Sequence, residues 1–196
     1  MKINADILRI ETNHVAPGQG CILISEPFLS GVYFSRSIIL LVSYCEKGAV
    51  GLILNKKVDY PVENLFADFP DFNSDIYLGG PVAVDTVYFI HNLGDEIPGS
   101  IHIKGDLYWG GDFETLKIKI KLGLVTPKQV RFFLGYSGWN LDQLDEEINQ
   151  NSWLVADISS SDVMNLDEQE MWLKLVKSLG EEYSLWENFP EDPTLN

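Results

Sequence analysis

Two apolar runs constrain this chain more than any other feature: "SIILLVSY" (Ser37 to Tyr44) and "AVGLILN" (Ala49 to Asn55), separated only by "CEKG". Both are rich in Val, Ile and Leu, and a gap this short is a hairpin connection. The longest of the runs, "SIILLVSYC", falls far short of the roughly 20 residues a membrane-spanning helix needs. Strands without alternating polar positions are buried on both faces, so the pair reads as a largely buried antiparallel hairpin.

Other segments supply what surrounds it. "GCILISEP" reads as a strand ended by Pro27, and "DIYLGGP" as a short strand stopped by a Gly-Gly-Pro turn. "DTVYFIHN", "GSIHIKG", "QVRFFL" and "SWLVADI" are further strands. "YPVENLFADF" suits a helix with Pro61 in its first turn. "GGDFETLKIKIKLG" suits one capped by Asp112, with Phe113, Leu116 and Ile120 on one face and Gly123 as its stop. "LDQLDEEI" is a third helix. "DEQEMWLKLVKSLG" is the clearest, with Trp172, Leu175, Val176 and Leu179 at helical spacing and Gly180 at its end. Strands outnumber helices and do not interleave with them regularly. The expected class is therefore α+β with a mixed, mostly antiparallel sheet. A single domain over residues 1–180 is expected, followed by an acidic, proline-containing, loose tail over 181–196.

Charge narrows the partners. The chain has 14 Lys and Arg against 29 Asp and Glu, a net charge of −15, which repels phosphate backbones. Direct nucleic-acid binding is not expected, and the cluster Lys117, Lys119, Lys121, Lys128 and Arg131 reads as a solvated face. Cys21 and Cys45 lie in strand-like runs and read as reduced, buried thiols. "MKINADILRI" has no apolar core of a signal peptide, so a soluble, cytoplasmic protein without membrane contact is expected.

One stretch tests for an enzyme. "FFLGYSGWNLDQLDEEI" (Phe132 to Ile148) sets the glycine-flanked Ser137 between an apolar run and an acid-rich one, the context of a hydrolase nucleophile elbow. The elbow needs glycine where Trp139 stands, and every histidine precedes Ser137, against the hydrolase order. Capping accounts for the same residues: Asn140 as N-cap, Gln143 closing the box, and Trp139 with Leu144 as a hydrophobic staple. Gly135 and Gly138 then shape a turn from strand to helix. No Cys or His pair has metal-ligand spacing, and no phosphate-binding glycine motif is present, so no cofactor is expected.

Four blocks resemble the bacterial AlgH/YqgE family: "GCILISEPFLSGVYFSRSIILLV" from Gly20, "GAVGLILNKKV" from Gly48, "LGGPVAVDTVYFIHN" from Leu78 and "LGYSGWNLDQLDEEINQNSWL" from Leu134. The resemblance spans most of the chain from Gly20 to about Gly180. It implies a sheet bent into a flattened pseudo-barrel with helices packed outside. It implies no catalytic residues, although the family often carries the label of a transcriptional regulator. The run Tyr108-Trp109-Gly110-Gly111-Asp112 departs from the Thr-Ser-Arg-Asp-like run of many relatives.

The expected function is a regulatory or protein-binding module, acting on transcription indirectly if at all. The alternative is a small-ligand binder or hydrolase-like enzyme built on glycine-rich turns. Candidate contact residues are Asn55, His91 and Ser137, the turns at Gly79-Gly80-Pro81 and Gly110-Gly111, and the rings Trp109 and Trp139. Trp109 is expected to meet a partner rather than anchor the core, because its loop precedes a two-glycine turn.

Overall fold

A computed structural model describes residues 13, 15–29, 31–66, 68–140, 142–165, 170–180, 183 and 186. The N-terminal run 1–12 and the tail from 187 onward lie outside the described residues.

The buried hairpin forms as its sequence requires. Strands β2 (Ile38–Cys45) and β3 (Gly48–Ile53) pair antiparallel. β1 (Ile22–Ser25) lies against the outer side of β2. Side chains alternate between two cores: Ile38, Leu40 and Val42 enter one, and Ile39 and Leu41 the other. Both faces are covered, which is why the run contains no polar alternation.

The sheet continues through β4 (Lys57–Val58), β5 (Ile76–Leu78), β6 (Val82–His91), β7 (Ile101–Lys104), β8 (Leu107–Trp109), β9 (Val130–Trp139) and β10 (Trp153–Ala156). Its main path is β10-β1-β2-β3-β9-β6-β8-β7, with the short β4–β5 pair attached to β9. Among the described residues every pairing is antiparallel except β5 with β9. The expected α+β class and mostly antiparallel sheet are observed.

The sheet curls without closing. Its end strands β7 and β10 do not pair, yet side chains bridge the seam: Lys104 meets Asp157, and Ser160 donates to Asp106. Gln19 Nε2 donates to the carbonyl of His102 at 2.7 Å. Inside the curl, Ile103 and Leu107 share a core with Ile22, Leu154 and Val163. This is the flattened pseudo-barrel, joined by side chains instead of a backbone ladder.

Among the described residues four α-helices pack on it: α1 (Phe113–Lys121), α2 (Gln143–Asn149), α3 (Ser160–Met164) and α4 (Met171–Leu179). The α1 cap is as expected, with the Asp112 carboxylate accepting from Thr115 N at 2.8 Å. The "VENL" segment forms a 3₁₀ turn behind Pro61, not an α-helix. α3 carries too little periodicity to be read from the sequence. Tyr183 and Trp186 are buried, and Trp186 stacks on Trp172 of α4. The core therefore reaches past Gly180, where the loose tail was expected to begin.

The largest difference from expectation is β9. The stretch 135–138, read as a turn, is strand, and Ser137 pairs with Gly51 of β3. Gly135 takes the bend at φ +66°, and the chain runs on as strand beyond it. A Cβ at Gly135 would lie 2.6 Å from the carbonyl oxygens of both Gly80 and Val82, so this crossing needs glycine for space as well as for angle. The helix then starts later, with Asp142 at φ +64° in the cap position expected for Asn140. Gln143 still reaches back, its Oε1 accepting from Asn140 N at 3.0 Å.

Candidate functional site

The candidate residues do not converge. Asn55 serves the hairpin: its Oδ1 accepts from Ile38 N at 2.9 Å, and its Nδ2 donates to Arg36 O at 2.8 Å. Ser137 is buried, and its hydroxyl donates to Gly79 O at 3.2 Å. That bond commits the oxygen to packing, and no histidine touches it among the described contacts. Gly79 and Gly80 are buried where β5 and β6 cross β9. A Cβ at Gly79 would sit 2.1 Å from Gly135 O, and one at Gly80 would sit 2.2 Å from the carbonyl carbon of Tyr136. They are glycines because two backbones touch there. Only Pro81 of that turn is exposed.

His91 is fully buried. Its Nδ1 accepts from Leu93 N at 3.2 Å, so the proton is on Nε2, which faces Ser100 Oγ at 2.9 Å and Gly110 O at 3.2 Å. The Ser100 hydroxyl donates to Ile97 O at 2.7 Å. Burial lowers the imidazole pKa below its ordinary range, against a smaller opposing effect from the Gly110 carbonyl. The ring is a neutral, saturated brace for the Gly110 turn, with no lone pair free for a metal or a base.

Trp139 is buried and packs edge-on against Trp153. Both indole N–H groups donate to Glu147 Oε2, at 2.8 and 2.7 Å. It anchors α2 and cannot be a surface contact. Trp109 is half-buried against the main core at the end of β8, so its strand alternation partly overrides the expected exposure. Cys45 is exposed, not buried, because it lies at the hairpin tip; Cys21 is half-buried, and both are free thiols. The basic cluster also disperses. Arg131 is buried, donating to Leu54 O and Val163 O, while Lys117 and Lys119 pair with Glu114 and Glu96.

What remains is a groove that takes in one predicted turn. It is about 450 Å³, lined by Phe66, by Asp85 to Phe89 of β6, and by Gly110, Gly111 and Phe113. Its floor is a ring cluster: Phe113 lies 4.8 Å from Phe66 and 6.1 Å from Phe89 between centroids. One wall is a strand edge that no described residue pairs with. β6 pairs along one side with β9, but on the other β8 reaches only Ile90 and His91, after which Gly110 N bonds to Phe89 O at 2.9 Å. Backbone groups of alternate residues point to the same side. The N–H and C=O of Val87, and the N–H of Phe89, therefore face the groove. In the β8 register Asp112 would stand opposite Val87. Its N–H bonds instead to Pro98 O at 2.8 Å, because Gly110 and Gly111, at φ +67° and +104°, turn the chain away into α1. Sequence reasoning identified the two glycines but missed the edge they leave open. Val82 to Thr86, upstream, are all exposed.

A second concavity of about 220 Å³ lies at the hairpin tip, lined by Tyr44, Cys45, Asp142 and Asp145 among others. Its Tyr44 hydroxyl is already bonded to Asp145 at 3.1 Å. Among the described residues no group of three or more His, Cys, Asp or Glu is placed to hold a metal, and no helix is long and apolar enough to cross a membrane.

The AlgH-like (DUF179) family model matches residues 22–184, which contain both the sheet and the groove. The chain belongs to the AlgH-like family. It is 43% identical over 197 residues to a UPF0301 protein of Bacteroides thetaiotaomicron, with both chains fully covered. It is 45% identical over 193 residues to one of Parabacteroides distasonis, covering 97% of this chain and 98% of that one. Among solved structures, the AlgH protein of Pseudomonas aeruginosa superposes with a TM-score of 0.70 at 25% identity, over 91% of this chain and 98% of that one. A Corynebacterium diphtheriae protein does so at 0.71 with 23% identity, over 92% and 95%, which shows the shared fold. The AlgH-like blocks around Gly79 and Ser137 fall on the β5–β9–β6 crossing, where they have packing roles.

Proposed function

We propose that this AlgH-like protein is a cytoplasmic protein-binding module that accepts an extended segment of another protein along the free edge of β6. The observation that carries this reading is a strand edge, unpaired among the described residues, running beside an apolar aromatic floor. An open edge offers main-chain hydrogen bonds, and pockets beside it select side chains. Ser137, His91 and Asn55 each make hydrogen bonds that serve local packing, which favours this reading over an enzyme built on them. Any effect on gene expression would be indirect, through the bound protein.

Val87→Pro tests it. The Val87 N–H points away from β9, so proline there removes an edge donor without breaking the β6–β9 ladder. Proteins captured from the native cell by the parent chain and lost with Val87→Pro, with amide exchange slowed at Val87 and Phe89 in the complex, are expected. Capture undiminished in a variant of unchanged melting midpoint overturns the reading.

A further inference from the structure

We infer that the segment accepted by the β6 edge is basic, carrying an apolar residue and, on its C-terminal side, a Lys or Arg. This rests on the protein-binding reading above and specifies the partner's chemistry. The lane beside β6 continues the line of β8, which is antiparallel to β6. A segment that extends this line runs in the same direction as β8. Its residue opposite Val87 projects to the side of Val87 and Phe89, both of which pack with the ring cluster of Phe66 and Phe113. An apolar side chain belongs there. Further along in that direction the segment reaches Asp85, the one acidic residue among the described residues that line the groove, none of which is cationic.

Three features make the cation specific. Asp85 is exposed, so its carboxylate is available without a desolvation cost. The Asp112 carboxylate, next along the chain from Gly111, adds a second negative charge, held ionised by the hydroxyl and the N–H of Thr115. The chain as a whole carries −15, so an acidic segment would be repelled before it reached the edge.

The probe is the acetylated, amidated peptide Thr-Leu-Thr-Lys-Thr, with Thr-Leu-Thr-Glu-Thr as its control. Both are titrated into the full chain labelled with nitrogen-15. The lysine peptide is expected to shift the amides of Val87 and Phe89. The glutamate peptide should bind about fivefold more weakly at low salt, the size of an exposed ion pair. Asp85→Lys is expected to reverse that order. Equal affinity for the two peptides, or an order unchanged in Asp85→Lys, overturns the basic partner and leaves the free-edge reading intact. No shift with either peptide, alongside capture that still depends on Val87, also overturns this inference alone. Loss of both results removes the reading beneath it.

Discussion

β6 and β9 are neighbouring strands of equal length, ten residues each, yet the chain treats them in opposite ways. β9 is paired on both sides, by β3 and β5 on one and β6 on the other, and Val130 to Phe133 are buried without interruption. β6 is buried only from Phe89 to His91. Its first five residues are exposed, its register slips between Val82 and Val87, and one edge faces a groove. A sheet needs one strand of the first kind to hold its halves together. An open stretch of the second kind contributes little to that, and exposed strand edges carry an aggregation hazard. The contrast puts the packing of the sheet in β9 and leaves outer β6 as the place where we propose recognition.

The largest effect should separate the two directly. Phe132→Ala in β9 removes a ring in contact with Phe69, Phe72 and Phe89, and should cost about 3–5 kcal/mol. Val84→Ala, at 50% exposure in β6, should cost less than about 0.5 kcal/mol. Urea unfolding of the two variants measures both, and comparable losses would break the contrast.

A smaller effect sharpens what β9 does at Ser137. Ser137→Ala removes one hydroxyl donor, while Gly79 O keeps its bond from Ile53 N at 3.0 Å. The expected cost is about 0.5–1.5 kcal/mol with the fold retained. Neither the parent nor the variant should react with a fluorophosphonate probe; labelling that disappears in the variant would make Ser137 a nucleophile instead of a packing group.

The smallest effect concerns the inner end of β6. Burial depresses the His91 pKa in the folded state, so the unfolded chain binds a proton more readily. Its contribution is complete above the ordinary histidine value of 6.5 and is lost as pH falls from there through the depressed folded value. The melting midpoint of the parent should therefore fall between about pH 7.5 and 5.5 by more than that of His91→Gln. Identical slopes would mean that His91 is not held neutral by the fold.

Several features were legible in the sequence. The β2–β3 hairpin could be read because continuous Val, Ile and Leu have one physical use in a short strand. The cap of α1 at Asp112 and the apolar face of α4 could be read because caps and helical periodicity are local. The groove was half legible. Gly110 and Gly111 announced a turn, but nothing in their neighbourhood said which strand the turn would leave unpaired.

By itself, then, the sequence determined a mostly antiparallel α+β domain of the AlgH-like kind, its strong acidity and most of its elements, because propensity, pattern and charge act over a few residues. Only the tertiary structure decided that Gly135 bends a strand instead of ending it, since the reason is the carbonyls of Gly80 and Val82, more than fifty residues away. It alone decided that Asn55, His91 and Ser137 are packing groups, because a polar side chain's role depends on what the fold brings within hydrogen-bond reach. It also decided where the open edge lies. An unpaired backbone group looks the same as a paired one in the sequence, and only the path of β8 beside β6 tells them apart.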